Sequence, residues 1–358
     1  MLRFHWRLVQ RGEMGIMTRS LQKEQLETAL PDLQAQVEFC RKAEVGGMDS
    51  LLIDLGSHTP DPMLLAAALA SKTRDIRLIV AIRSGLISPT FLVQQVNTFS
   101  SLYGDRISLN VVAGHSPEEQ RGYGDFLGHD ARYDRTREFL DICRRFWQRQ
   151  EVNFEGQYFH IEGGRLNTPF FSSQRDHPEI LVAGGSKAAR ALAIQYGDCW
   201  MQLADSPPTI AESMVSALNR GIEFGLRLSI IAAPTRAQAL DAAHALVQEP
   251  MAQKKNTSTE RHFVSGSDSH SIAAVYRSAE REWLSDCLWT GAVRSHGAPA
   301  IALVGSYDEV ASALLEYGSL GVTQFIISGW PKLDSMVRFG NEVLPRVRAK
   351  ESKALAHA

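Results

Sequence analysis

RLIVAIRSGLISPTFLVQQVNTFSSLYGDRISLNVVAG, residues 77–114, reads as strand, helix, strand. Its two apolar runs, RLIVAI (77–82) and RISLNVVA (106–113), are nearly continuous rather than alternating, which is how parallel strands covered on both faces read. Between them Ser88-Pro89 opens a helix and Gly104 closes it. The second strand ends in Asn110, turns through Gly114, and runs into Pro117 and two carboxylates, Glu118 and Glu119. An uncharged amide therefore stands where a buried strand emerges.

The same alternation continues outward. FHWRLV (4–9), SLLIDL (50–55), EILVAG (179–184), DCWMQL (198–203), FGLRLSIIA (224–232) and QFIIS (324–328) are further apolar segments, bringing the strands to eight. Asp61-Pro62 opens another helix, and Ser306 with Glu309 forms a capping box before VASALLEYG. Eight strands alternating with helices predict a (β/α)8 TIM barrel with insertions, one domain over 1–358, rather than an open doubly wound sheet. No G-x-G-x-x-G follows the first strand. Two segments interrupt the repeat. Residues 150–176, with VNFEGQYFHIEG, predict an inserted hairpin about Glu155-Gly156. Residues 249–298 are polar and weakly periodic and predict an insertion with a mobile lid.

Bulk properties narrow the partners. With 44% hydrophobic and 22% charged residues the chain has the composition of a soluble globular protein, and a net charge of -2 supplies no basic footprint for nucleic acid. A small molecule is the expected partner. Cys40, Cys143, Cys199 and Cys287 form no C-x-x-C pair, so buried thiols in a reducing cytoplasm are expected, not disulfides or a zinc ribbon. No apolar run approaches the ~20 residues of a membrane span, and the N-terminus lacks a signal-peptide core. The absence of H-E-x-x-H, G-x-S-x-G and metal-ligand histidine spacing gives no support to a metal site or an α/β hydrolase.

A barrel of this kind carries its chemistry on the loops after the strands. That rule selects Arg11, Asp54 to Thr59, Arg83, Asn110 to Ser116, Gly184 to Ser186, Arg227 with Ser229, and Ser328 to Trp330. In AGGSKAAR (183–190), backbone amides at a helix start and the Ser186 hydroxyl suit a phosphate, a plain serine cap being the alternative. GHDARYDRTREF (128–139) adds His129, Arg132 and Tyr133, as a phosphate pocket or as a solvated helix face. Arg227 lies in a strand whose neighbours are buried, so it needs a ligand or a structural acid such as Asp54.

LISPTFLVQQVNTFSSLYGDRISLNVVAG, RYDRTREFL, EVNFEGQYFHIEG, AGGS, FGLRLSI and LVGSYDEVASALLEYGSLGVTQFIISGWP occur in an order that resembles the bacterial luciferase-like flavin monooxygenases, nearest to the two-component alkanesulfonate monooxygenases. The resemblance spans about residues 4–347. It implies a TIM barrel, commonly dimeric or tetrameric, that takes reduced FMN from a separate NAD(P)H-dependent reductase. The flavin then activates O2 as a flavin (hydro)peroxide, and a small organic substrate is oxygenated. Carried over by position, Asn110, Ala81 and Ala113 fall beside the flavin ring and Glu118 near it. Arg132 and Tyr133, with His129 beside them, and Gly185 with Ser186 fall at the phosphate.

The substrate side departs from the sulfonate pattern. Thr59 stands where those enzymes have Cys, Ser229 where they have His, Trp330 where they have Tyr, and Arg11 where they have an early His. Arg227 is kept, and the loop arginine aligns with Arg294 or, without a gap, His296. The resemblance thus implies flavin chemistry with Arg227, Arg294, Thr59, Ser229 and Trp330 on the substrate side, and Arg227, Arg11 and Arg83 suggest an anionic or carbonyl-bearing substrate. The alternatives are an F420-dependent oxidoreductase on the same fold and a non-catalytic flavin-binding protein.

Overall fold

A computed structural model of the protein describes residues 1–10, 32–57, 59–248 and 266–356. In chain order its strands are β1 (Arg3–Arg7), β2 (Ser50–Ile53), β3 (Arg77–Ile82), β4 (Ile107–Val111), β5 (Val152–Glu155), β6 (His160–Gly164), β7 (Glu179–Ala183), β8 (Cys199–Leu203), β9 (Glu223–Ala233), β10 (Leu288–Trp289), β11 (Ala302–Ser306) and β12 (Gln324–Gly329). The helices are α1 (Leu33–Val45), α2 (Pro62–Ala70), α3 (Pro89–Tyr103), α4 (Pro117–Gly122), α5 (His129–Trp147), α6 (Lys187–Tyr196), α7 (Pro207–Leu218), α8 (Arg236–Gln248), α9 (His270–Ser278), α10 (Val293–His296), α11 (Tyr307–Leu320), α12 (Lys332–Arg338) and α13 (Leu344–Ala356).

Strands β1, β2, β3, β4, β7, β8, β9 and β12 pair in that order, all parallel, and β12 returns to β1 to close the barrel. They are the eight segments expected from the sequence. Their apolarity on both faces has its reason here. Leu52, Ile79, Leu181, Met201 and Ile326 fill the interior, while residues such as Phe4, Trp6, Leu78 and Leu109 pack outward beneath the helices. The helix starts follow local chemistry: Asp61, Ser88 and Ser306 each accept a backbone N–H from the first turn, and Glu309 completes the capping box at Ser306.

Strand β9 is eleven residues long, and its two halves differ. The first pairs with β8; the second pairs with β11, from Ala302 against Ser229 to Ser306 against Ala233, outside the closed ring. This ninth parallel strand has no counterpart among the eight segments. Antiparallel β5 and β6 form a separate two-stranded sheet. Its turn is tied to α5 by Glu138, whose carboxylate accepts the N–H groups of Gln157 and Tyr158, each at 2.9 Å.

Residues 249–265 of the long insertion, which hold most of the expected lid, lie outside the described residues, as does Arg11. Its remaining part is packed, not loose: it contains α9, β10 and α10, with Leu288 and Trp289 fully buried. All four cysteines are buried and free. No helix among the described residues is long and apolar enough to cross a membrane.

Candidate active site

A cavity of about 250 Å³ opens where the barrel strands end. Leu52, Ala81, Met201 and Ile326 give it apolar walls, and Asn110 and Arg227 project into the same space. Ala81 and Asn110 are register partners on adjacent strands β3 and β4. Asn110 is buried, and its Oδ1 accepts no hydrogen bond from the described residues. A buried amide oxygen without a donor is costly unless a ligand supplies one. It sits beside the smallest side chain available, which leaves room for a flat ring.

The loop Gly184–Ser186 forms a second wall. Gly184 has φ 137°, and a Cβ there would lie 2.8 Å from both the Tyr133 hydroxyl and Ala189. Only glycine permits this close approach of loop and phenol. Ser186 caps α6, accepting the Ala189 N–H at 3.1 Å. Tyr133 is hydrogen-bonded to Ser186, and burial pushes its phenol above the ordinary value. The donor set of backbone N–H, hydroxyl and phenol at a helix start fits a phosphate. The unpartnered amide and the glycine cradle together fit a phosphorylated flavin.

A buried ion pair lines the third side. Arg83 Nη2 donates to Glu119 Oε2 at 2.6 Å, and Glu119 Oε1 accepts the Ser57 N–H at 2.9 Å. Burial alone would raise the Glu119 pKa. Arg83 and the Ser57 amide outweigh it and hold the carboxyl at about 2. Glu119 stays ionised and acts as a fixed charge rather than a proton carrier.

Arg227 is positioned by its own hydrogen bonds. Its guanidinium donates to Leu228 O at 2.8 Å, Ile326 O at 3.2 Å and Ser328 Oγ at 3.2 Å. Ser229 donates its single hydroxyl proton to Pro299 O at 2.8 Å, so the 3.0 Å contact between Ser229 and Ser328 runs from Ser328 to Ser229. The chain Arg227, Ser328, Ser229, Pro299 locks the guanidinium to the loop beneath α10. Asp54, considered as its structural partner, is held by Arg7.

Several expected site residues stand elsewhere. Ala81, Asn110, Ala113, Tyr133 and Arg227 line the cavity; Gly185 and Ser186 form the adjoining loop. Glu118 is exposed, and it is Glu119, one residue on, that lines the cavity, as does Asp54. Arg132 is fully buried and is taken up by Ala113 O at 3.0 Å, Leu127 O at 2.9 Å and Asp268 at 2.6 Å. It braces the loops around the cavity instead of lining it. His129 stacks on His270 with centroids 5.1 Å apart.

On the substrate side, Thr59 spends its hydroxyl on Gly56 O at 3.0 Å. Ser229 is turned into the chain described above, and Trp330 packs edge-on against His296 at 5.4 Å. Arg294 lies on α10. None of these four is among the described residues lining the cavity, so of that set Arg227 alone faces it. Sequence reasoning missed Glu119, Ser269 and Ser271 as cavity residues, while His115 falls within the Asn110 to Ser116 stretch it selected. A signal existed for Glu119: Ser116-x-x-Glu119 is a capping-box spacing, and Glu119 N does donate to Ser116 Oγ at 3.2 Å. Its carboxylate goes to Arg83 instead of back to the cap.

A closed parallel barrel with a cavity at its strand ends and a glycine loop at a helix start defines the TIM-barrel class. The luciferase-like monooxygenase family model matches residues 13–324, and the chain belongs to that family. Among solved structures, it is similar to the EDTA monooxygenase EmoA from Chelativorans sp. BNC1, at 20% identity over 98% of this chain and 94% of that one, TM-score 0.75. The long-chain alkane monooxygenase LadA matches at 18% identity over 98% and 92%, TM-score 0.75. An F420-dependent secondary alcohol dehydrogenase matches at 16% identity over 97% and 99%, TM-score 0.67. At such identities these likenesses concern the fold.

Proposed function

We propose that the protein is a reduced-FMN-dependent monooxygenase, drawing its flavin from a separate NAD(P)H-dependent FMN reductase and oxygenating a small anionic or carbonyl-bearing substrate. The observation that carries this reading is one cavity in which Asn110, with an unpartnered buried oxygen, and Ala81 adjoin the Gly184–Ser186 loop. When bound, reduced flavin supplies the electrons that activate O2. The chain's own share is to hold, orient and keep dry. Ala81 and Asn110 would receive the ring, with the Asn110 oxygen accepting a ring N–H. The Ser186 hydroxyl and Tyr133, at the Gly184–Ser186 loop, would receive the phosphate.

Leu52, Met201 and Ile326 exclude water from the space between ring and substrate. Arg227, immobilised by acceptors that include Leu228 O, Ile326 O and Ser328 Oγ, offers a fixed positive charge to an anionic or carbonyl oxygen without having to reorganise. Glu119, already neutralised by Arg83, does not repel such a substrate. The test is oxygen uptake with NADPH, FMN and an unrelated FMN reductase. The protein should raise oxygenated product at the expense of H2O2 for an accepted substrate, and should oxidise no NAD(P)H alone. NADPH oxidation by the isolated protein would contradict the two-component reading, and a complex with F420 tighter than with FMN would contradict the choice of cofactor.

A further inference from the structure

Residues 268–272 form part of the cavity wall and are fastened to Arg132, His115, His129 and Gly185 around it. The Asp268 carboxylate binds buried Arg132 at 2.6 Å, and the Asp268 N–H donates to His115 O at 3.0 Å. The His270 ring stacks on His129 at the start of α5. Gly185 N–H, in the glycine loop itself, donates to Ser271 Oγ at 2.6 Å. Ser269, Ser271 and Ile272 all line the cavity. The strap is part of the site's wall.

Ser271 is the informative member. A hydroxyl has two acceptor lone pairs and one hydrogen to donate. Here an acceptor site is filled by the Gly185 amide, which polarises the O–H and leaves its hydrogen for another acceptor. Two helices, α6 and α9, begin at this contact, capped by Ser186 and Ser269. Their N-terminal ends make the surrounding potential favourable to an anion.

We propose that Ser271 is a phosphate ligand carried by the strap: it accepts from Gly185 and donates to a phosphomonoester oxygen of the cofactor, so that strap seating and phosphate binding reinforce one another. The proposal rests on the phosphate reading of the Gly184–Ser186 loop. Arg132 enters only as a positioning residue, since its guanidinium holds Asp268 and thereby the strap.

The test compares anaerobic affinities for reduced FMN and reduced riboflavin in wild type, Ser271→Ala and Ser271→Thr, with amide hydrogen exchange of residues 268–278 in wild type. Ser271→Ala should weaken FMN on the order of ten-fold, the worth of a hydrogen bond to a charged acceptor, and leave riboflavin unchanged. Ser271→Thr should restore FMN. FMN, and not riboflavin, should slow exchange across 268–278, a readout independent of how any variant folds. An unchanged FMN-to-riboflavin ratio in Ser271→Ala, or exchange that FMN does not slow, overturns the proposal. Wild-type protein that binds the two flavins alike overturns the phosphate reading beneath it.

Discussion

The two ends of the barrel use similar residue types for opposite ends. At the floor, where the strands begin, Arg3 reaches Glu179 at 2.7 Å and also pairs with Glu223. Gln324 donates to Glu179 at 3.0 Å and accepts contact from His5 at 3.1 Å. Charges there are consumed by one another. At the mouth, Arg227 is held by backbone carbonyls and a serine, Asn110 Oδ1 has no partner among the described residues, and a glycine loop displays an amide to a hydroxyl. The unpartnered Asn110 oxygen marks the working end; a carboxylate network closed on Arg3 and Gln324 marks the structural one.

The comparison can be broken at the floor. Glu179→Ala removes the buried carboxylate of this network and leaves Arg3 and Gln324 only the more exposed Glu223, which should lower unfolding stability by about 2 kcal/mol, with flavin affinity of the folded fraction unchanged. Denaturant titration and anaerobic flavin binding check the two halves. Arg132→Ala, near the mouth but wholly buried, should behave like a floor mutation first, costing about 3 kcal/mol through three orphaned acceptors.

That expectation corrects the sequence reading, and the reason is physical. The eight strands were legible because burial on both faces leaves a continuous apolar run. Strand β11 was not, since its five residues lead straight from an irregular segment into the capping box at Ser306. Asn110, Ala81, Arg227 and the Gly184–Ser186 loop were legible because they stand at strand ends. The pairing of Arg132 was not legible because its partner, Asp268, lies 136 residues away. Glu118 and Glu119 differ by about 100° around a helix, and which one faces the cavity depends on how α4 is laid against β3.

Acid titration sharpens the contrast. Glu119, held at about 2, contributes stability that is present above its ordinary range and is lost as the pH falls toward that value. His5 is lowered by burial, so the fold resists its protonation and stability declines once the pH drops below the ordinary imidazole value of about 6.5. Glu119→Gln should flatten the strongly acidic limb of the stability profile, and His5→Gln the limb that starts near neutrality. Identical acid profiles for wild type and both variants would contradict these assignments.

Two matched serine caps provide a smaller test. Ser186→Ala and Ser306→Ala should each cost about 1 kcal/mol, measured by thermal unfolding, but only the first should weaken FMN. Asn110→Leu should have the smallest effect on stability and of opposite sign, a gain of up to about 1 kcal/mol from removing an unpaired buried oxygen, together with weaker flavin binding.

The account's central claim is that the mouth cavity receives the flavin ring against Ala81. Anaerobic titration of reduced FMN into wild type and Ala81→Phe tests it directly, because the added ring has the cavity to enter and the barrel need not expand. Wild type should saturate at one FMN per chain, and Ala81→Phe should lose at least about 1.4 kcal/mol of binding, a ten-fold change, while keeping its unfolding midpoint. Equal affinity in the two proteins would place the flavin elsewhere and contradict the account.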